Sequence, residues 1–115
     1  MTILERRQRE KEQIRKSVIE TACKLFATKG YDYVTLDDIA IESELGKTTL
    51  FSYNKDKESI FFAVINQGMK IYKVLLLEEK LKTQNDDFGA SCKLARHRFI
   101  IEFPLYYQNY ISFRN

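Results

Sequence analysis

Proline occurs once in the 115 residues, at 104, histidine once, at 97, and cysteine only at 23 and 92. With so few prolines, nothing prevents long helices. Two cysteines far apart in sequence lack the paired spacing of a zinc site, and outside an oxidising compartment such residues are expected as buried thiols. His97 stands between Arg96 and Arg98 with no second ligand at i+4, so it is expected on an exposed helix face and not at a metal. Glycine-rich phosphate loops and the nucleophile elbow are both missing. The paired acids Asp37-Asp38, Glu78-Glu79 and Asp86-Asp87 have ordinary places in helix capping, a solvated face and a loop. Catalysis, cofactors and metals are therefore not expected. No apolar run approaches the roughly 20 residues of a membrane-spanning helix. The opening MTILERRQREKEQIRK lacks the apolar segment of a secretory signal, so a cytoplasmic chain without membrane association is expected.

What is present is an ordinary globular composition, 44% hydrophobic and 30% charged, long enough for one small domain or for one domain and part of another. A net charge of +3 does not by itself single out a nucleic-acid binder. Its distribution says more: Arg6, Arg7, Arg9, Lys11, Arg15 and Lys16 crowd the start of the chain against Glu5, Glu10 and Glu12. Two readings stay open for that run, a solvated helix face and a surface for phosphate.

From 13 to 29, Ile14, Val18, Ala22, Leu25 and Phe26 recur at helical spacing with Ile19 beside them, and Gly30 supplies a stop. Tyr31, Tyr33 and Val34 are expected to close the bottom of the core that this stripe faces. Thr35 then caps a short helix, with Asp38 in the capping-box position and Asp37 beside it in the first turn. The turn Ser43-Glu44-Leu45-Gly46 ends it, the permissive Gly46 serving as the next N-cap. Lys47 to Tyr53 forms a second short helix whose Leu50 packs inward, with Leu45 before it, leaving Lys47, Thr48, Thr49, Ser52 and Tyr53 outward. One bracing helix, a tight turn and one presenting helix make a helix-turn-helix.

Asp56 caps the longest helical pattern, whose Ile60, Phe61, Val64, Ile65, Ile71, Leu75 and Leu76 run towards Leu81. Gly68 inside it marks either a close helix contact or a weakness of about 1 kcal/mol. Thr83-Gln84-Asn85-Asp86-Asp87 is the expected loop. Phe88, Cys92, Ala95, Phe99 and Phe103 resume helical spacing, and Pro104 opens a last helix carrying Tyr106, Tyr107, Tyr110 and Phe113.

The run from Thr35 through Ile39-Ala40, Leu45, Lys47, Thr49-Leu50-Phe51, Tyr53 and Lys57-Glu58 to Ile60, with Ala22, Leu25-Phe26 and Gly30-Tyr31 upstream, resembles the DNA-binding domain of the tetracycline-repressor (TetR) family of transcriptional regulators. The resemblance covers roughly half the chain. It implies an all-α protein: a homeodomain-like three-helix domain at 1–58, then a linking helix and a partial helical sensing and dimerisation region at 59–115. It further implies sequence-specific binding of double-stranded DNA, most simply as a repressor, by a homodimer, with a small-molecule effector if a complete sensing domain exists. Thr35, Lys47, Thr48, Thr49, Phe51, Ser52, Tyr53 and Lys57 are the residues that would meet DNA. Lys47 and the threonines would serve bases or phosphates, and Tyr53 and Lys57 phosphates.

Three positions depart from the family pattern. Phe51 stands where Tyr is usual, removing a hydroxyl worth roughly 0.5 to 1.5 kcal/mol; Thr48 and Glu44 each stand in place of Gly. The sensing region also lacks several helices of the family's usual complement, which predicts exposed apolar surface around Phe99, Phe103, Tyr106 and Tyr110. A rival reading therefore stays open, a helical interaction protein with little DNA binding that dimerises or masks a full-length relative.

Overall fold

The computed structural model describes residues 2–82 and 88–114, so the expected loop at 83–87 lies outside the described residues. Six helices follow in order: α1 (Ile3–Lys29), α2 (Leu36–Glu42), α3 (Lys47–Tyr53), α4 (Lys57–Lys82), α5 (Phe88–Glu102) and α6 (Pro104–Arg114), with a 3-10 turn at Tyr31–Tyr33 after α1. No strand occurs among the described residues, so the all-α expectation holds. They fall into two compact units, one ending at Val64 and the other beginning at Ile65.

In the first unit, α1 starts ten residues earlier than its apolar stripe suggests. Thr2 and Glu5 form a capping box that nucleates it at Ile3, although every residue from Thr2 to Gln13 is exposed. A charged stretch with a good cap is helical without a buried face. Gly30 ends α1 at φ 93°, where a side chain would strain the backbone, and its N–H donates to the Phe26 carbonyl at 3.0 Å. The core gathers Val18, Ala22, Leu25 and Phe26 of α1, then Val34, Ile39, Ala40 and Leu50, and finally Ile60 and Val64 of α4. Phe26, Tyr31 and Phe61 add an aromatic triangle with ring centroids 5.0 to 5.5 Å apart. Of the two tyrosines expected to close this core only Tyr31 does so. Tyr33 is 79% exposed, because the 3-10 turn points it away from the rings that hold Tyr31.

In the second unit, Leu75, Ala95 and Phe99 are buried, with Ile71, Tyr72, Leu76, Phe103, Tyr106 and Tyr107 packed partly against them. Gly68 lies close to α5 and α6, where a Cβ would sit at ordinary contact distance, 3.4 Å from Tyr106 Cδ1 and 3.7 Å from Phe99 Cζ, so the close contact and the helix weakness coexist. Pro104 occupies the first turn of α6, where its missing N–H is no loss, and the Phe103 N–H closes α5 on the Phe99 carbonyl at 2.9 Å. Arg98 joins α4 to α5 by reaching Glu78 (2.9 Å), Glu79 (3.2 Å) and Glu102 (2.8 Å). The expected exposed patch needs correction in its make-up: Phe99 is buried and Phe103 and Tyr106 are half-buried, while Tyr110 is exposed. Cys23 and Cys92 form no disulfide; Cys23 is buried and Cys92 half-buried.

One helix bears on the reading of apolar runs. α4 is long and apolar enough, by length and composition, to cross a membrane. A search for an unbroken apolar run misses it because Asn66, Gln67, Lys70 and Lys73 interrupt the run without lowering its average much. Ile60, Val64, Ile65 and Leu75 of this helix are buried within the two units, as in a core helix, while most of its apolar window is not.

Candidate nucleic-acid interface

The turn between α2 and α3 decides how α3 is presented. Ser43 ends α2 with its N–H on the Ile39 carbonyl (2.9 Å), and the Leu45 N–H returns to the Ala40 carbonyl (2.9 Å). The left-handed residue is Glu44, at φ 58°, and not Gly46, whose φ of −68° any residue can adopt. The position identified as a departure from glycine is thus the one where the backbone favours glycine. Gly46 still caps α3, its carbonyl accepting from the Leu50 N–H at 3.0 Å.

α3 is anchored by a single fully buried side chain, Leu50. With Leu50 inward, helical geometry leaves Lys47, Thr48, Thr49, Phe51 and Ser52 exposed, and Tyr53 half-buried. The Ser52 hydroxyl donates to the Thr49 carbonyl at 2.6 Å, so its lone pairs stay open to a donor. Thr35 caps α2: its hydroxyl accepts from the Asp38 N–H (3.1 Å) and its own N–H donates to the Asp38 carboxylate (2.9 Å). The Thr35 backbone N–H first, and the Thr35 side chain after it, hold the Asp38 carboxyl below the usual carboxylate range. The Thr35 backbone N–H is thus committed to Asp38, while its hydroxyl keeps a proton to donate.

Three partners were invisible in the sequence. Lys47 pairs with Asp37 in the first turn of α2 at 3.2 Å, both exposed, and its ammonium lies 6.0 Å from the Phe51 ring. Tyr53 lies under the Arg15 guanidinium of α1, 5.6 Å from the ring centroid. Lys57, at the start of α4, is half-buried; its ammonium donates to the Tyr31 carbonyl (2.8 Å) and sits 4.1 Å over the Tyr31 ring. The only hint for Arg15 was its membership in the basic run; for Asp37 and Tyr31 there was none, since pairing across elements has no sequence period. Burial, followed by Glu58, Asp56 and Asp32, pushes the Tyr31 phenol up.

The second unit holds an open, mainly apolar cleft of about 340 Å³, floored by Gly68 and Phe99, walled by Tyr72, Tyr106 and Tyr107, and edged by Arg96 and Arg114. No group of acidic, histidine or cysteine residues suited to a metal occurs among the described residues.

A short bracing helix, a four-residue turn and a helix with one buried anchor and a polar outer face define a helix-turn-helix domain. Residues 18–64 match the sequence model of Bacterial regulatory proteins, tetR family, so the chain carries a domain of that kind. Over 58 residues, 50% of this chain and 19% of the relative, it is 38% identical to an uncharacterized HTH-type transcriptional regulator, YuxN, of Bacillus subtilis. Over 86 residues, 75% of this chain and 43% of the relative, it is 38% identical to IcaR of Staphylococcus epidermidis, the HTH-type negative transcriptional regulator of the biofilm operon icaADBC. A solved structure from Clostridium perfringens, a proposed fatty acid metabolism regulator, superposes with a TM-score of 0.71 at 26% identity, covering 84% of this chain and 53% of that one. The chain spans less than half the length of these two curated relatives.

Proposed function

We propose that this chain binds double-stranded DNA sequence-specifically as a transcriptional repressor. The observation that carries the reading is α3 itself: Leu50 fixes it to the core while Lys47, Thr48, Thr49 and Ser52 stand exposed along its outer side. Threonine and serine hydroxyls suit base edges, and the threonine methyls suit thymine. Lys47 leaves Asp37 for a guanine edge or a phosphate, an exchange that costs little because exposed ion pairs are weak. Thr35, Phe51, Tyr53 and Lys57 flank this surface, Tyr53 and Thr35 as phosphate contacts through their hydroxyls. Lys57 reaches a phosphate only by giving up Tyr31, so its contribution is the smallest of the set. Repression is supported by the kinship with a negative regulator.

Reading two half-sites requires a homodimer. Exposed Leu105, Tyr110 and Phe113 of the second unit support association. The cleft at Gly68 and Phe99 suits a small apolar effector, and a cytoplasmic location follows from the proposed task.

The test is titration of fluorescent duplexes, selected by this chain from a random-sequence pool, at low and moderate salt. The intact chain is expected to discriminate its selected sequences from scrambled ones, and Thr48→Ala with Thr49→Ala to erase that discrimination while leaving salt-sensitive binding. A folded chain that selects no sequence would refute the reading.

A further inference from the structure

α1 carries two kinds of basic residue, and the helix separates them. Arg6, Arg9 and Lys16 each have a glutamate four residues away, Glu10, Glu5 and Glu12 in turn, which is how a solvated helix neutralises itself. Arg7, Lys11 and Arg15 have none at that spacing. They stand four apart from one another, so each meets a like charge; Glu10 stands three residues from Arg7 and Glu12 three from Arg15, while Lys11 has no glutamate at either spacing. Like charges at i, i+4 weaken a helix, so a merely solvated face would not favour them. All three are exposed, and no ion pair among the described residues engages them.

The line also has a direction. Lys11 lies seven residues before the buried Val18 and Arg15 seven before the buried Ala22, so the basic stripe prolongs the side of α1 that packs on the domain. Its inner end is fixed at the reading helix, where Arg15 covers the Tyr53 ring at 5.6 Å. Over the eight residues to Arg7 it runs about 12 Å along the helix axis.

We infer that Arg7, Lys11 and Arg15 form a phosphate-binding rail that follows the DNA backbone outside the base pairs read by α3, with Arg6, Arg9 and Lys16 taking no part. The inference rests on the proposed DNA binding and adds a contact surface beyond the helix-turn-helix. A cation stripe that neutralises Z phosphates makes log K fall with log salt with a slope near −0.9Z, so the rail sets a measurable part of the salt dependence.

The experiment uses the full chain and a fluorescent random-sequence 30-bp duplex pool, with anisotropy titrations between 50 and 200 mM NaCl. Two triple variants lower the charge equally: Arg7→Gln/Lys11→Gln/Arg15→Gln on the rail, and Arg6→Gln/Arg9→Gln/Lys16→Gln off it. The rail variant is expected to flatten the slope by about 2 to 3 per bound chain, a roughly 40-fold smaller loss of affinity across that range, and the other variant by less than about 1. Arg7→Lys/Arg15→Lys is expected to keep the original slope. Helicity by circular dichroism checks folding, which the rail variant retains because the like-charge repulsion it relieves offsets the exposed contact of Arg15 with the Tyr53 ring that it removes. Equal flattening by both triple variants, or by neither, overturns the rail while leaving DNA binding in place. An intact chain with no salt-dependent binding overturns both readings.

Discussion

The two units of this chain close their cores to different degrees. In the first, Val18, Ala22, Ile39, Leu50, Ile60 and Val64 are wholly inaccessible, although the helix-turn-helix contributes only two seven-residue helices. In the second, Ala95 alone among the hydrophobic residues reaches that state, while Leu77, Leu81, Leu94, Ile101 and Phe113 stay exposed. Short helices with caps and a tight turn can seal a core when each turn delivers one side chain inward. Helices with apolar residues on several sides cannot, whatever their length, and leave part of that surface exposed. The first unit buries the apolar residues that hold its helix-turn-helix, and the second leaves exposed the apolar residues that the proposed dimer would use.

The sharpest way to break this contrast is Leu50→Ala. It is expected to destabilise the first unit by about 2 to 5 kcal/mol in urea denaturation, whereas Leu77→Ala on the exposed side of α4 changes stability by less than about 0.5 kcal/mol. Comparable losses for the two would mean that the units do not differ in closure. Next comes Gly68. Its replacement by Leu is expected to cost about 1 to 3 kcal/mol by crowding Tyr106 and Phe99, while Ala, at ordinary contact distance, fits and strengthens α4 by up to about 1 kcal/mol.

Smaller effects sharpen the first unit. Glu44→Gly relieves the left-handed strain and is expected to raise thermal stability by about 1 kcal/mol, with tighter DNA binding because a negative charge beside α3 is lost. Thr35→Ala is expected to lose about 1 kcal/mol with the capping box. The smallest effect concerns acid. Hydrogen bonds from Arg98 hold the Glu102 carboxyl below the usual carboxylate range. Its contribution is therefore complete above that range and fades as pH falls through the lowered value. Arg98→Gln should flatten the acid limb of the second unit's stability profile as pH falls through and below the usual carboxylate range. An unchanged limb would show that the bridge carries no pH-linked stability.

Local chemistry was readable to within a residue wherever a cap or breaker marks the chain. Thr35 with Asp38, Gly30, Pro104 and the span Lys47–Tyr53 all stand where their residue types place them, because caps and φ restrictions act within one turn. The start of α1 escaped because an apolar stripe locates only the buried part of a helix. The candidate site was legible as a set of exposed donors on α3, but their partners were not.

What the sequence alone determined is the order of helices, their caps and the inward turn of Leu50, since periodicity and capping depend on neighbours a few residues away. Only the tertiary structure decided that Lys57 turns to Tyr31, Lys47 to Asp37 and Arg15 to Tyr53. The last two pairings join different helices and the first joins a helix to a turn. A long cationic side chain takes whichever carboxylate, carbonyl or ring the packing brings within a few ångströms, and that distance is fixed by the core and not by sequence spacing.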